Sequence, residues 1–87
     1  MKTSRTFIAV PPGATIREQL SDRGMSQKEF SFRMGMSEKH ISRLINGDVH
    51  LTPEVAHKLE MVLGVPTEFW NNLEAIYHEK LAKEKTK

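Results

Sequence analysis

Apolar positions along the chain recur at three- and four-residue spacing, in five blocks each opened or closed by a cap, glycine or proline signal. Ile16 and Leu20 stand four apart with Arg17, Glu18 and Gln19 between them, and Gly24 follows, which predicts a first helix over Thr15 to Arg23. Ser26-Gln27-Lys28-Glu29 reads as a capping box: the serine hydroxyl accepts from the Glu29 amide while the glutamate side chain reaches back. A second helix therefore starts at about Gln27, turns Phe30 and Met34 inward and stops at Gly35; this pattern leaves Phe32 unplaced. Only Met36 intervenes before Ser37 caps a third helix, whose Ile41, Leu44 and Ile45 fall at i, i+3 and i+4 before the turn signal Asn46-Gly47-Asp48. Thr52-Pro53-Glu54 opens a fourth helix carrying Val55, Leu59, Val62 and Leu63 on one face up to Gly64. Thr67 reads as the cap of a fifth, with a stripe of Phe69, Leu73, Ile76 and Tyr77 and Trp70 beside it.

The ends are less patterned. Arg5 to Val10 has the composition of a short edge strand or an arm, and Pro11-Pro12-Gly13 ends any such run. The expected organisation is an N-terminal arm over 1–12, a helical domain over 13–82 with its central motif at 26–48, and a polar tail over 83–87. The tail lysines read as a solvated helix end that complements the helix dipole.

Composition narrows the class. With 87 residues, 38% of them hydrophobic, the chain can build one small core and no second domain, so oligomerisation is an expected way to add stability. The absence of cysteine excludes disulfides and thiolate metal sites and favours the cytoplasm. Four apolar residues, Phe7 to Val10, are too few for a signal-peptide core or a membrane span. A net charge of +2 and a pI near 9.1 permit nucleic-acid binding without requiring it, so the electrostatic case rests on where the charges fall.

Residues 26–48, SQKEFSFRMGMSEKHISRLINGD, combine a capped helix, a glycine turn, a second capped helix and an Asn-Gly exit, the pattern of a helix-turn-helix. Such a pair holds its second helix at a steep angle to the first, so that the second projects into a DNA major groove while the first lies over the backbone. Gln27, Gly35, Ile41, Leu44, Asn46 and Gly47 stand as in the phage-repressor-like helix-turn-helix family. The flanking PPGATIREQL and LTPEVAHKLEMVLGVPTEFWNNLEAIY closely resemble the antitoxins of the HigA type, also called plasmid-maintenance antidote proteins; the Leu-Thr-Pro-Glu and Glu-Phe-Trp-Asn-Asn-Leu-Glu segments set that group apart from ordinary phage repressors.

This resemblance implies an all-α, five-helix domain that binds duplex DNA as a homodimer at an inverted-repeat operator. It further implies repression of the protein's own operon and direct neutralisation of a small mRNA-cleaving ribonuclease toxin. Carried over position by position, Glu38, Lys39, Ser42 and Arg43 match residues that face base edges, with His40 beside them as a possible additional contact, and Gln27, Ser37 and Asn46 match residues that hold phosphates. Arg43 and Lys39 have donors suited to guanine O6 and N7, whereas Ser42 tolerates any base. Glu38 departs from the glutamine common at its position: a carboxylate accepts from cytosine N4 but cannot pair with adenine, and it equally suits a tether for a neighbouring Arg or Lys. Ser37 and Asn46 are also ordinary cap and turn residues, so the weight lies in the combination. The aromatic residues of the last helix suit core or dimer contacts, and Trp70 suits either the core or an interface with a dimer or toxin partner.

Catalysis, cofactors and metals are not expected. The four histidines, His40, His50, His57 and His78, prompt a check for metal sites; His78-Glu79 opens like a zinc-protease motif, yet Ala82 stands where the second ligand belongs. No glycine-rich phosphate loop or nucleophile with an adjacent base is present. Three alternatives stay open on sequence: a phage-type or general regulator without a toxin, the N-terminal DNA-binding module of a longer metallopeptidase-like regulator, and a helical module used only for protein binding.

Overall fold

The computed structural model describes residues 9–85. Five helices follow in order: α1 (Pro12–Arg23), α2 (Gln27–Met34), α3 (Glu38–Asn46), α4 (Pro53–Leu63) and α5 (Thr67–Lys85), and no strand occurs among the described residues. Of the segment read as an arm or edge strand, residues 5–8 lie outside the described residues, and Ala9 and Val10 belong to no regular element.

The first helix begins three residues earlier than the periodicity predicts. Pro11 is extended (φ −69°, ψ 154°) and its carbonyl accepts from the Ala14 amide at 3.0 Å. Pro12 then occupies the first helical position, where a missing N–H costs nothing and a fixed φ suits the helix. Pro-Pro-Gly is thus the start of α1 rather than a turn before it, and this seats Gly13 against α3 with no room for a side chain.

One core joins all five helices. Ile16 and Leu20 from α1, Phe30 and Met34 from α2, Ile41, Leu44 and Ile45 from α3, Val55, Ala56, Leu59 and Leu63 from α4, and Trp70 from α5 are buried together with Leu51. The expected inward faces of α2, α3 and α4 hold, with Val62 half-buried at the margin and Ala56 added. Phe32 projects from α2 into solvent at 86% exposure, because Phe30, Ser31 and Met34 take the inward face.

The last helix corrects the expected stripe. Trp70 is fully buried and its indole Nε1 donates to the Val65 carbonyl at 3.2 Å, whereas Phe69 and Ile76 are 42% and 49% exposed. Trp70, Leu73 and Tyr77 also stand at helical spacing, and seating the largest ring rotates Phe69 and Ile76 outward. Trp70 is therefore a core residue rather than an interface anchor.

Two caps also differ from expectation. Ser26 accepts from the Glu29 amide at 3.0 Å as the capping box requires, but the Glu29 carboxylate pairs with Arg33 one turn on, at 2.9 Å, instead of reaching back. A charge-assisted contact at i,i+4 competes successfully with a neutral amide at this exposed site. Thr67 is the first helical residue of α5 rather than its cap; its amide and hydroxyl both donate to Glu60 of α4, the amide at 2.9 Å. A carboxylate from the preceding helix thus satisfies a donor at the positive end of α5.

These bonds hold the Glu60 carboxyl below the usual carboxylate range, through the Thr67 hydroxyl first and the Thr67 amide second, with His57 assisting and desolvation opposing. A depressed folded-state value contributes stability above the ordinary carboxylate range, and that contribution is lost as pH falls through the depressed value. Glu60→Gln is accordingly expected to lower the melting temperature at neutral pH and to leave a shallower fall on acidification than in the parent chain. Thermal melts across the acid range check this; parallel curves for the two proteins would refute it.

Candidate nucleic-acid interface

The geometry of the motif follows from its caps. α2 ends at Gly35, whose left-handed backbone (φ 69°, ψ 33°) lets its amide donate back to Phe32 while the Met36 amide donates to Ser31 at 3.0 Å. A side chain at Gly35 would meet no neighbour, so the backbone conformation alone selects glycine there. The chain then turns through Met36, half-buried against the core, into Ser37, whose hydroxyl accepts from the His40 amide at 3.1 Å. Two capped helices joined by so short a turn leave α3 little freedom relative to α2.

α3 is divided along its length. Ile41, Leu44 and Ile45 are at most 3% exposed, while Glu38, Lys39, His40 and Arg43 face solvent and Ser42 is half-buried beside them. Every residue matched to base edges thus lies on the part of α3 that the core leaves open. Glu38 makes no ion pair among the described residues, so the tether considered for it is not formed.

The residues matched to phosphates frame this face. Gln27 is the first residue of α2 and is exposed. The Ser37 hydroxyl accepts within its cap, which leaves its O–H able to donate outward. Asn46 ends α3, and its Oδ1 accepts from Arg17 Nη2 at 3.0 Å. That bond aims a guanidinium from α1 at the end of α3, a cation that sequence spacing did not single out because 29 positions separate the two residues. It also orients the Asn46 amide so that its NH₂ is the outward donor.

A group of potential metal ligands among the described residues, His50, Glu74 and His78, lies away from this face, where the α3–α4 connection meets α5. No helix among the described residues is long and apolar enough to cross a membrane.

Comparison with known proteins decides the family. The helix-turn-helix family matches residues 16–70. Antitoxin HigA-1 of Vibrio cholerae is 38% identical over 73 residues, spanning 84% of this chain and 68% of its own length. The chain belongs to the HigA group of helix-turn-helix proteins. An uncharacterized HTH-type transcriptional regulator of Escherichia coli, YddM, is 40% identical over 63 residues, 72% of this chain and 67% of that protein. Among solved structures, an addiction module antidote protein of the HigA family from Coxiella burnetii superposes with a TM-score of 0.85 at 26% identity, covering 90% of this chain and 86% of that one. An antidote protein of a plasmid maintenance system from Nostoc punctiforme gives 0.83 at 27% identity, covering 88% and 85%. Membership of this group makes the chain a DNA-binding protein and not an enzyme, and its all-α fold is the group's fold.

Proposed function

We propose that the chain binds an inverted-repeat operator in its own promoter as a homodimer, with one α3 in each of two successive major grooves. The observation that carries this reading is the division of α3. Its apolar face is locked in the core, while Glu38, Lys39, Ser42 and Arg43 line the open face behind a rigid, doubly capped turn. In this reading Arg43 and Lys39 donate to guanine, Ser42 and Glu38 tune the neighbouring positions, and His40 makes an additional contact. Gln27, Ser37 and Asn46 hold phosphates, with Arg17 beside Asn46. Phe69 and Ile76, apolar and half-exposed on α5, favour a second copy as the source of additional burial.

Operon repression in the cytoplasm and direct neutralisation of a small ribonuclease toxin complete the proposal. Their support is the likeness to proteins named as antitoxin and antidote. A regulator that acts without a toxin has one observation in its favour, the YddM relative, described only as a transcriptional regulator. A neighbouring reading frame that is lethal alone and harmless with this chain distinguishes the two.

The direct test is selection of random duplexes by the purified chain, then titration of the selected duplex and a scrambled one at several salt concentrations. The expected product is a palindrome with half-sites about 34 Å apart. Arg43→Ala is expected to weaken specific binding by about 1 to 3 kcal/mol and relax preference at one base pair, whereas Gln27→Ala weakens all duplexes more evenly. Equal small losses from both substitutions, or binding without sequence preference, would overturn the reading.

A further inference from the structure

We infer that His50, Glu74 and His78 form a binding site for one divalent transition-metal ion, of the zinc class, that ties the connection following α3 to the body of α5. This inference does not rest on DNA binding.

Glu74 and His78 stand one turn apart on α5, so their side chains share a face. His50, from the α3–α4 connection, brings its Nδ1 to 2.9 Å from His78 Nε2 and 3.4 Å from Glu74 Oε2, and His78 Nε2 also contacts that same carboxylate oxygen. Two ring nitrogens and one carboxylate oxygen therefore converge on a single point. The imidazoles stack with centroids 4.6 Å apart and planes inclined by 23°. Glu74 is only 15% exposed, and the group sits in a hollow of about 200 Å³ walled by Asp48, Tyr77 and Leu81.

Three convergent lone-pair atoms ask for a cation to share. One or two protons can fill this role, but two nitrogens and a carboxylate oxygen are also the donor set of a three-ligand zinc site, with water in the fourth position. Tetrahedral zinc with ligands at about 2.0 to 2.1 Å needs donor atoms about 3.3 Å apart. The His50–Glu74 edge has that length; a small rotation of the exposed His50 ring opens its edge to His78, and a small rotation of the part-exposed His78 ring opens its edge to Glu74. A nitrogen-rich set does not suit magnesium or calcium, which take oxygen ligands. Sequence spacing looks for a second ligand downstream of His78, at Ala82. The partners are one turn upstream and, across the fold, in the connection after Gly47.

The test uses the full chain, stripped with a chelator and titrated with zinc sulfate by calorimetry and with cobalt(II) by visible absorption. The expected result is one ion per chain, a tetrahedral cobalt spectrum and a zinc-dependent rise in melting temperature. His50→Ala and His78→Ala should each weaken binding by more than about tenfold, the lower end of what loss of even an outer-shell partner costs, and His57→Ala should leave it unchanged. His50 is 77% exposed, so its substitution leaves the core intact and carries the test even if a change in α5 perturbs folding. No binding at millimolar zinc, binding indifferent to His50→Ala, or half an ion per chain from a site shared between copies would each overturn the inference.

Discussion

Replacing Gly13 with alanine is expected to cost about 3 kcal/mol of folding stability, at the top of the usual range for overpacking. For a domain of this size that corresponds to a fall of about 12 to 24 °C in melting temperature. A Cβ on Gly13 would lie 1.9 Å from the Ile45 carbonyl oxygen and 2.4 Å from its carbon. Both atoms are backbone in the last turn of α3, so no side-chain rotation relieves the clash and α1 must withdraw from α3 as a body. The same displacement releases one support of α3, whose end, Asn46, is where Arg17 from α1 makes its bond. Operator affinity, measured at a temperature where the variant is folded, is therefore expected to fall as well. A stability loss below about 1 kcal/mol in urea denaturation would show that the start of α1 can lift from α3 at little cost.

Trp70→Ala is expected to cost about 3 to 5 kcal/mol, the range for emptying a large buried aromatic site. The ring is fully buried, it is the largest such side chain in the structure, and it meets Phe69 edge-on with centroids 5.4 Å apart. Its loss leaves a cavity at the junction of α4 and α5 and strands the Val65 carbonyl that the indole satisfies. Trp70→Phe keeps most of the apolar volume but not the donor, so its smaller cost isolates the hydrogen bond, typically about 1 kcal/mol with more if the carbonyl stays dry. Proteins of this size have margins of roughly 5 to 15 kcal/mol, so the alanine variant should sit near the edge of folding. A two-state denaturation series decides; near-wild-type stability for Trp70→Ala would place the ring outside the core and return it to the surface role considered from sequence.

The two substitutions differ in how visible their sites were. Trp70 belonged to a helix whose apolar residues supported two overlapping stripes, one through Phe69 and Ile76 and one through Trp70 and Tyr77. Periodicity cannot choose between faces about a hundred degrees apart when both carry large side chains. Packing against α4 chose, because only one orientation buries the indole and gives its N–H a partner. In sequence, Pro11-Pro12-Gly13 has the look of a chain breaker, although proline at the first helical position is as much a start signal as a stop. What distinguishes the two is the approach of α3, 32 residues further along the chain, and no local pattern contains it.

Charge pairings divide in the same way. Ser37 and Thr52 act as the caps that their neighbours predicted, since a serine or threonine ahead of an apolar period has a backbone amide within reach whatever the rest of the fold does. The Glu29 side chain, the Glu60–Thr67 bond, the Arg17–Asn46 bond and the His50–Glu74–His78 cluster were not legible. Each involves a choice among competing partners or a contact between separate helices.

The sequence by itself determined the number and order of the helices, the short glycine turn between α2 and α3, and the division of α3 into a core face and an open face. These depend on local backbone energetics and on a 3.6-residue period, both written within a few neighbouring residues. It also carried the motif residues that place the chain among HigA-type helix-turn-helix proteins. Only the tertiary structure decided where α1 starts, which face of α5 is buried, and which distant side chains meet. Those outcomes follow from volume exclusion and hydrogen-bond satisfaction between helices, and these become defined only when the whole core closes.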